Sequence, residues 1–524
     1  MTDNKGPQSQ QNSKSGRISP LQQLEEQRKL LAKPITGSLK EDIDCLRQLY
    51  ASSKDVIFHE FKTHSGVKLA IVYIDGMTDI KEVDAELLRP LKNNKPPEDA
   101  FGWESVVRVV TLTSSKSITT MDEACTHISA GDSVLLHDGE PTALVFCMPH
   151  WESRAIEEPE AEIVVRGPRE GFVETLRINT AMLRRRLQSP AFQLKTLSIG
   201  RYTKTKVAIA YMEGITDPSL IEEMENRLSI IDVDGVIDSN MIEEMIEDEP
   251  LSPFPQLQTT ERPDVVSAAL LEGRIAVLIN GTPITLVAPA TLFSMMQSPE
   301  DFYQRSLAMT GIRWLRFLLA AIAIFMPSLY VAILSYHQEM IPTTLLLTIS
   351  KSREQIPFPA LVEALLMEIT FEALREAGIR LPKQVGAAVS IVGALVIGQA
   401  AISAGIVSSP MIMVVAITGV ASFLIPNYSL AIALRIIRFP MILSAGILGL
   451  YGIVLSTVLI IVHLLSLRSF GVPYLSPISP LQPEQLKETL IRAPRWALNT
   501  RPHFTGGPWN KYRLRLPKSR LKKE

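Results

Sequence analysis

Four carboxylates stand in one short stretch, FPALVEALLMEITFEALREAG, residues 358–378: Glu363, Glu368, Glu372 and Glu376. Carboxylates so spaced concentrate cations, exchange protons or pair with arginine. At 100° per residue, Glu368, Glu372 and Glu376 form one stripe, at i, i+4 and i+8, with Arg375 beside them to temper the charge. Val362, Leu366, Ile369, Ala373 and Leu374 fall on the other face. A wet acidic face on an amphipathic helix accounts for the stripe. It does not account for Glu363, which falls on the apolar side near Met367 and Thr370. A carboxylate in an apolar membrane setting is costly and by default functional. The expectation is an acidic vestibule of Glu363, Glu368, Glu372 and Glu376, in which Glu363 must pair, protonate or bind an ion.

A second constellation lies in residues 385–407. Gly386, Ser390, Gly393, Ala400, Ala401 and Ala404 share one face, where small side chains let helices approach closely. The adjoining strip carries Val392, Val396, Gln399 and Ser403. Apolar rings with two polar side chains suit a pore that gates by dewetting. Equally, Gln399 and Ser403 could simply hydrogen-bond across a helix pair.

Other motifs point to no chemistry. DVDGVIDSNMIEE (232–244) has its glycine at the wrong position for a calcium loop and reads as a turn before a capped helix. RGPREG (166–171) lacks the phosphate-loop pattern and reads as a turn. The run Arg184–Arg186 reads as a solvated helix face, with anionic lipid as the minority alternative. Cys45, Cys125 and Cys147 have no zinc or disulfide spacing, and no His, Cys or Ser stands in a catalytic spacing. The expectation is a non-enzyme with no metal and no cofactor.

The elements that position these residues follow from a split in composition. The net charge of −2 hides a charged, soluble-looking first part, to about Gly311, and a run from Gln384 to Ser466 whose only formal charges are Arg435 and Arg438. Such a run reads as several membrane spans. They are expected at 315–336, 385–407, 411–425 and 441–466, with an arginine-bearing helix leading to Pro440. Arg313 and Arg316 place the start of the first span in the cytosol, and the tail from Arg468, with twelve Lys/Arg against three Glu, belongs there too. Both termini inside require an even number of spans: four, if the glutamate helix does not cross. Five would export the basic tail.

The first part contains a repeat. VKLAIVYIDGMTD (67–79) matches KVAIAYMEGITD (206–217), and SVLLHDGEPTALV (133–145) matches AVLINGTPITLV (276–287). Asp138-Gly139 and Asn280-Gly281 signal hairpins, and Thr78-Asp79 and Thr216-Asp217 sit where N-caps belong, before helices at 79–91 and about 218–228. The expected fold is an α/β soluble N-terminal region of two repeated subdomains, 51–190 and 191–300, followed by an all-α polytopic membrane domain, 301–470. A polar head, 1–50, reads as disordered, and 471–524 as a basic cytoplasmic tail.

Several stretches, VRGPREGFVETLR, YHQEMIP (336–342), PFPALVEALLMEITFEALREAG, SIVGALVIGQAAISAGIVS and RSFGVPYLSP (468–477), resemble the A subunits of the GerA family of spore germination receptors. The resemblance runs from about Asp55 to Pro480. It implies a protein of the inner membrane of bacterial endospores that responds to amino acids or sugars. It implies action with a transporter-like B subunit and a lipoprotein C subunit, and a homo-oligomer conducting monovalent cations. Contact with membrane lipid is expected, and nucleic acid is not. The functional expectation is a nutrient-gated cation channel subunit. A non-conducting signalling scaffold and a secondary transporter are the alternatives.

Overall fold

The computed structural model describes residues 20–64, 66–93, 102–110, 115–148, 159, 162, 164–380, 396, 398–494, 497 and 501. Two five-stranded antiparallel sheets dominate its first part. The strands of the first are β1 (Val56–Lys62), β2 (Lys68–Ile74), β3 (Ser115–Ile118), β4 (Ser133–His137) and β5 (Ala143–Phe146), in spatial order β1-β2-β4-β5-β3. The second sheet holds β6 (Phe192–Ile199), β7 (Thr205–Met212), β8 (Gln258–Thr260), β9 (Ile275–Ile279) and β10 (Thr285–Ala288). Its order is β6-β7-β9-β10-β8, the same arrangement repeated. The paired sequence motifs occupy equivalent places. Each IDG/MEG-Thr-Asp motif follows the second strand of its sheet, and each DG or NG turn closes the β4–β5 or β9–β10 hairpin. Asp79 and Asp217 cap the helices that follow, Asp79 accepting from the Lys81 and Glu82 amides and Asp217 from that of Ser219.

Both faces of each sheet are covered, because successive strand residues point to opposite sides and both sets are apolar. In β2, Ala70, Val72 and Ile74 pack with helices Leu39–Leu49 and Met121–Ala130, while Leu69 and Ile71 pack with Val83, Leu87 and Val106. In the second sheet, Ala208 and Leu278 meet helices Leu176–Arg186 and Pro263–Leu271, and Val207 and Ile209 meet helices Pro218–Ile230 and Ser239–Ile246. The helix Leu176–Arg186 serves both subdomains, since Ala181 belongs to the first core and Leu183 to the second.

Two expectations need correction here. The head is not wholly disordered: Leu39–Leu49 is a helix whose Ile43, Leu46 and Leu49 are buried in the first core. Its apolar residues recur at i, i+3 and i+6, a helical stripe diluted by the polar residues around it. Residues 1–19 lie outside the described residues. Nor is the Arg184–Arg186 run a solvated face. Arg184 is fully buried, bidentate to Asp55 at 2.8 and 2.9 Å, with further bonds to the Phe192 carbonyl and Ser53 Oγ. Its guanidinium lies 4.8 Å from the centre of the Phe192 ring. Arg185 and Arg186 share Glu170.

The helical part begins with a 31-residue helix, Ser306–Tyr336, about 46 Å long at 1.5 Å per residue. After Thr343–Arg353 come Ala360–Arg380, Ser409–Phe423, Tyr428–Leu448 and Leu450–Ser466. Two of these helices, Ser306–Tyr336 and Tyr428–Leu448, are long and apolar enough to cross a membrane. The span expected at 441–466 is not one helix. The helix runs through Pro440 and ends at Gly449, φ +63°, where the chain reverses. Ser456 Oγ then lies 2.8 Å from Ser444 Oγ, twelve residues back, which only antiparallel packing allows. The proline costs one hydrogen bond without breaking the helix, whereas glycine alone supplies the left-handed turn.

Candidate functional site

The glutamate helix is turned opposite to the expected sense. Val362, Leu366 and Ile369 face outward, 37–59 % exposed, while Glu363 and Glu368 are fully buried against neighbouring helices. In water the polar face would be outside. For a helix whose outer face meets apolar surroundings, paired charges belong inside. The vestibule expectation is therefore corrected for two of its members. Glu368 pairs with the equally buried Arg438 at 2.6 Å. Glu363 accepts from the Ser408 amide at 2.6 Å and from Ser408 Oγ, and lies 3.5 Å from Arg353. It thus pairs, one of the outcomes its position demanded. Glu372, half-buried, takes Arg375 at 2.8 Å, with Arg435 at 4.0 Å. Glu376 is exposed and pairs with Arg380 at 2.6 Å.

These contacts form an ionic seam between antiparallel helices: Glu368 opposite Arg438, Glu372 opposite Arg435. A buried carboxylate and guanidinium hold one another because either alone would carry a large desolvation cost. Sequence reasoning missed the two arginines as partners. Their signal was available, since they are the only formal charges in an otherwise uncharged run, and an isolated intramembrane charge needs a counter-charge.

The expected pore strip is partly placed. Val392 lies outside the described residues. Val396 is 57 % exposed, and Gln399 and Ser403, on the helical stretch 398–403, are exposed on the same side at i, i+3 and i+7. Among the described residues, no hydrogen bond or ion pair joins Gln399 or Ser403 to Glu363, Glu368, Glu372 or Glu376.

A junction joins the two parts. Asp301, fully buried, pairs with Arg313 at 2.9 Å and Arg316 at 3.1 Å, and its carbonyl accepts from Arg492 at 2.9 Å. The two arginines taken as markers of the first span's start are thus buried structural cations. Arg492 comes from the tail, which also bonds Thr310 and, through Arg501, the Leu271 carbonyl. The chain following Leu450–Ser466 returns to the second subdomain. Tyr474 is buried there, and its carbonyl accepts from the Leu292 amide at 3.0 Å. Burial, reinforced by the carboxylates of Glu247, Glu244 and Asp238, pushes Glu243 in this subdomain up to about 7. Among the described residues no group of His, Cys, Asp and Glu could hold a metal ion.

The chain resembles known proteins along most of its length. The family described as Bacillus/Clostridium GerA spore germination protein matches residues 44–504. An uncharacterised membrane protein of Bacillus subtilis, YfkQ, is 44 % identical over 90 % of this chain and 92 % of its own length. Spore germination protein KA of the same organism is 42 % identical over 92 % and 88 %. Spore germination protein GerLA of Bacillus cereus is 38 % identical over 90 % and 96 %. The crystal structure of the N-terminal domain of the A subunit of the Bacillus megaterium spore germinant receptor GerK3 is 31 % identical, with a TM-score of 0.41 over 50 % of this chain and 98 % of that one. With a match across most of its length and relatives covered almost end to end, the chain belongs to the GerA family of spore germination proteins.

Proposed function

We propose that the chain is the A subunit of a nutrient receptor in the endospore inner membrane, and that several copies surround a nutrient-gated path for monovalent cations. It works with a transporter-like B subunit and a lipoprotein C subunit. Both termini lie in the cytosol. The return of the tail to the α/β part supports one side for both ends, and the basic residues of the tail support the cytosolic side. The observation that carries the reading is the outward strip of Val396, Gln399 and Ser403. A polar pair beside an apolar ring, exposed on a helix of small residues, suits a surface shared between copies. Glu372 and Glu376 line the mouth of the path and draw cations towards it, while Glu363 and Glu368 hold the helix that carries them.

Reversal potentials in planar bilayers test this. Glu372→Gln with Glu376→Gln lowers cation selectivity, more at low salt than at high, because salt screens exposed charge. Val396→Ala opens at lower nutrient, since a wider constriction is harder to dewet. Purified assemblies that conduct nothing would favour a signalling scaffold, and flux tied to a fixed solute stoichiometry would favour a transporter.

A further inference from the structure

The loop after the last apolar helix carries RSFGVPYLSP, a motif that the ion path leaves without a role. Tyr474 and Leu475 pack in the core of the helical part, and Ser469, Phe470 and Tyr474 hydrogen-bond to the second subdomain. Ser469 Oγ donates to the Gln256 carbonyl at 2.7 Å and accepts from the Ala290 amide at 3.0 Å. The Phe470 amide donates to Asp248 Oδ2 at 2.7 Å. The Phe470 ring packs against the core beneath helices Pro218–Ile230 and Ser239–Ile246. Arg227 covers that ring, its guanidinium 4.2 Å from the ring centre. Three further contacts fix Arg227: Glu223 at 2.7 Å, the Ile246 carbonyl at 2.6 Å and Asp248 at 2.5 Å. One turn before the loop, His463 Nε2 meets Ser252 Oγ at 2.9 Å.

Phe470 has a left-handed backbone, φ +48°, and Gly471 follows at +79°. A bulky residue in that region is uncommon and persists only where its surroundings hold it. The holding groups are Asp248 and Arg227, and both belong to the second subdomain. Beside them lies a cavity of about 600 Å³, bounded by Asp217, Glu223, Arg227, Asp248, Arg468 and Phe470. The loop therefore has space to move into if the socket shifts.

We propose that residues 466–476 are the transmission joint between the second α/β subdomain and the last apolar helix, with Phe470 as the knob and Arg227 with Asp248 as its socket. A shift of helix Pro218–Ile230 moves Arg227, releases or tightens the Phe470 ring, and pulls on the helix ending at Ser466. Its use in gating rests on the receptor reading above. The mechanical link itself does not.

The test perturbs one side and reads the other, in the full chain in detergent micelles. Met224→Ala loosens helix Pro218–Ile230 from beneath, since Met224 is fully buried. Leu228→Val replaces it if that variant fails to accumulate. Hydrogen exchange of amides 458–467 then speeds up about tenfold relative to wild type, a coupling of ordinary size. In a Phe470→Ala background the same core substitution leaves those amides unchanged. The proposal is overturned if the core substitution leaves 458–467 untouched while its own helix exchanges faster. It is equally overturned if the tenfold effect survives in Phe470→Ala. In spores that carry this receptor alone, Phe470→Ala at normal abundance needs at least about tenfold more of an L-alanine and glucose mixture for half-maximal germination. Spores with the wild-type chain that ignore this mixture and every other common amino acid and sugar, beside coupled exchange, would sink the receptor reading and leave the joint standing. Germination unchanged by Phe470→Ala would sink the joint's role in gating.

Discussion

Replacing Arg184 with methionine keeps the bulk of the side chain and deletes its charge. Arg184 is 1 % exposed and its partner Asp55 14 %, so the surviving carboxylate rehydrates only in part. Breaking a buried pair by removing one partner costs about 3–5 kcal/mol, and the partial exposure of Asp55 argues for the lower end, about 3. The Phe192 carbonyl and Ser53 Oγ also lose their donor, which adds about 1 kcal/mol. The expected loss is thus about 4 kcal/mol. The assay is urea unfolding of residues 20–300, followed by circular dichroism. With an m-value of about 3 kcal/mol/M, the midpoint falls by about 1.3 M. Arg185→Ala and Arg186→Ala serve as controls. They share the one-third-exposed Glu170, and each shifts stability by about 0.5 kcal/mol or less. A midpoint change below about 0.3 M for Arg184→Met would mean that the joint between the subdomains is held by apolar contact alone, and the electrostatic argument would fail.

In the helical part, Glu368→Gln and Arg438→Met each leave one buried charge without its partner, and each lowers the amount of chain recovered from membranes. The double substitution Glu368→Leu with Arg438→Met restores most of it, because a buried pair replaced by apolar groups is often neutral; immunoblots of membrane fractions decide this. Glu243, held near 7, contributes nothing at pH 4, where folded and unfolded forms are both protonated. Between the ordinary carboxylate value and 7 only the folded form keeps its proton, so stability falls with rising pH through that window and the full cost stands above it. Glu243→Gln accordingly raises the thermal midpoint of the α/β region at pH 8 and leaves it unchanged at pH 4. At Gly449 a Cβ would meet His337 and Tyr336 at 3.0–3.1 Å in a backbone (φ +63°, ψ −141°) open essentially to glycine, so Gly449→Ala costs about 1–3 kcal/mol and lowers the aggregation temperature in detergent.

What could be read in the sequence depended on whether a signal was local. The two Thr-Asp caps and the DG and NG turns are decided by their immediate neighbours, and they stand where the motifs point. Arg184 could not be distinguished from Arg185 and Arg186 by type or spacing. Its burial depends on Asp55, far back in the chain, which stands just before β1 of the first sheet. The glutamate helix failed for a physical reason: a helical wheel gives the angle between faces but not which side meets the apolar phase. Arg435 and Arg438 settle that, through partners on another helix. The reversal at Gly449 was hidden because apolar residues continue on both sides, so the proline drew the boundary and the glycine was passed over.

The hub at Asp301 sets an order of assembly. Arg313 and Arg316 reach it while the first long helix is being made, but Arg492 emerges only after every helix of the bundle has left the ribosome. Before then the bundle is tied to the α/β part at residues 301–306 and, once it is made, through the loop that holds Ser469, Phe470 and Tyr474. When the tail arrives, Arg492 adds a further tie, joining the Asp301 carbonyl to Thr310 at the start of the first long helix. Chains that stop short of Arg492 therefore keep their helices but lose the tie that the tail gives to the Asp301 carbonyl.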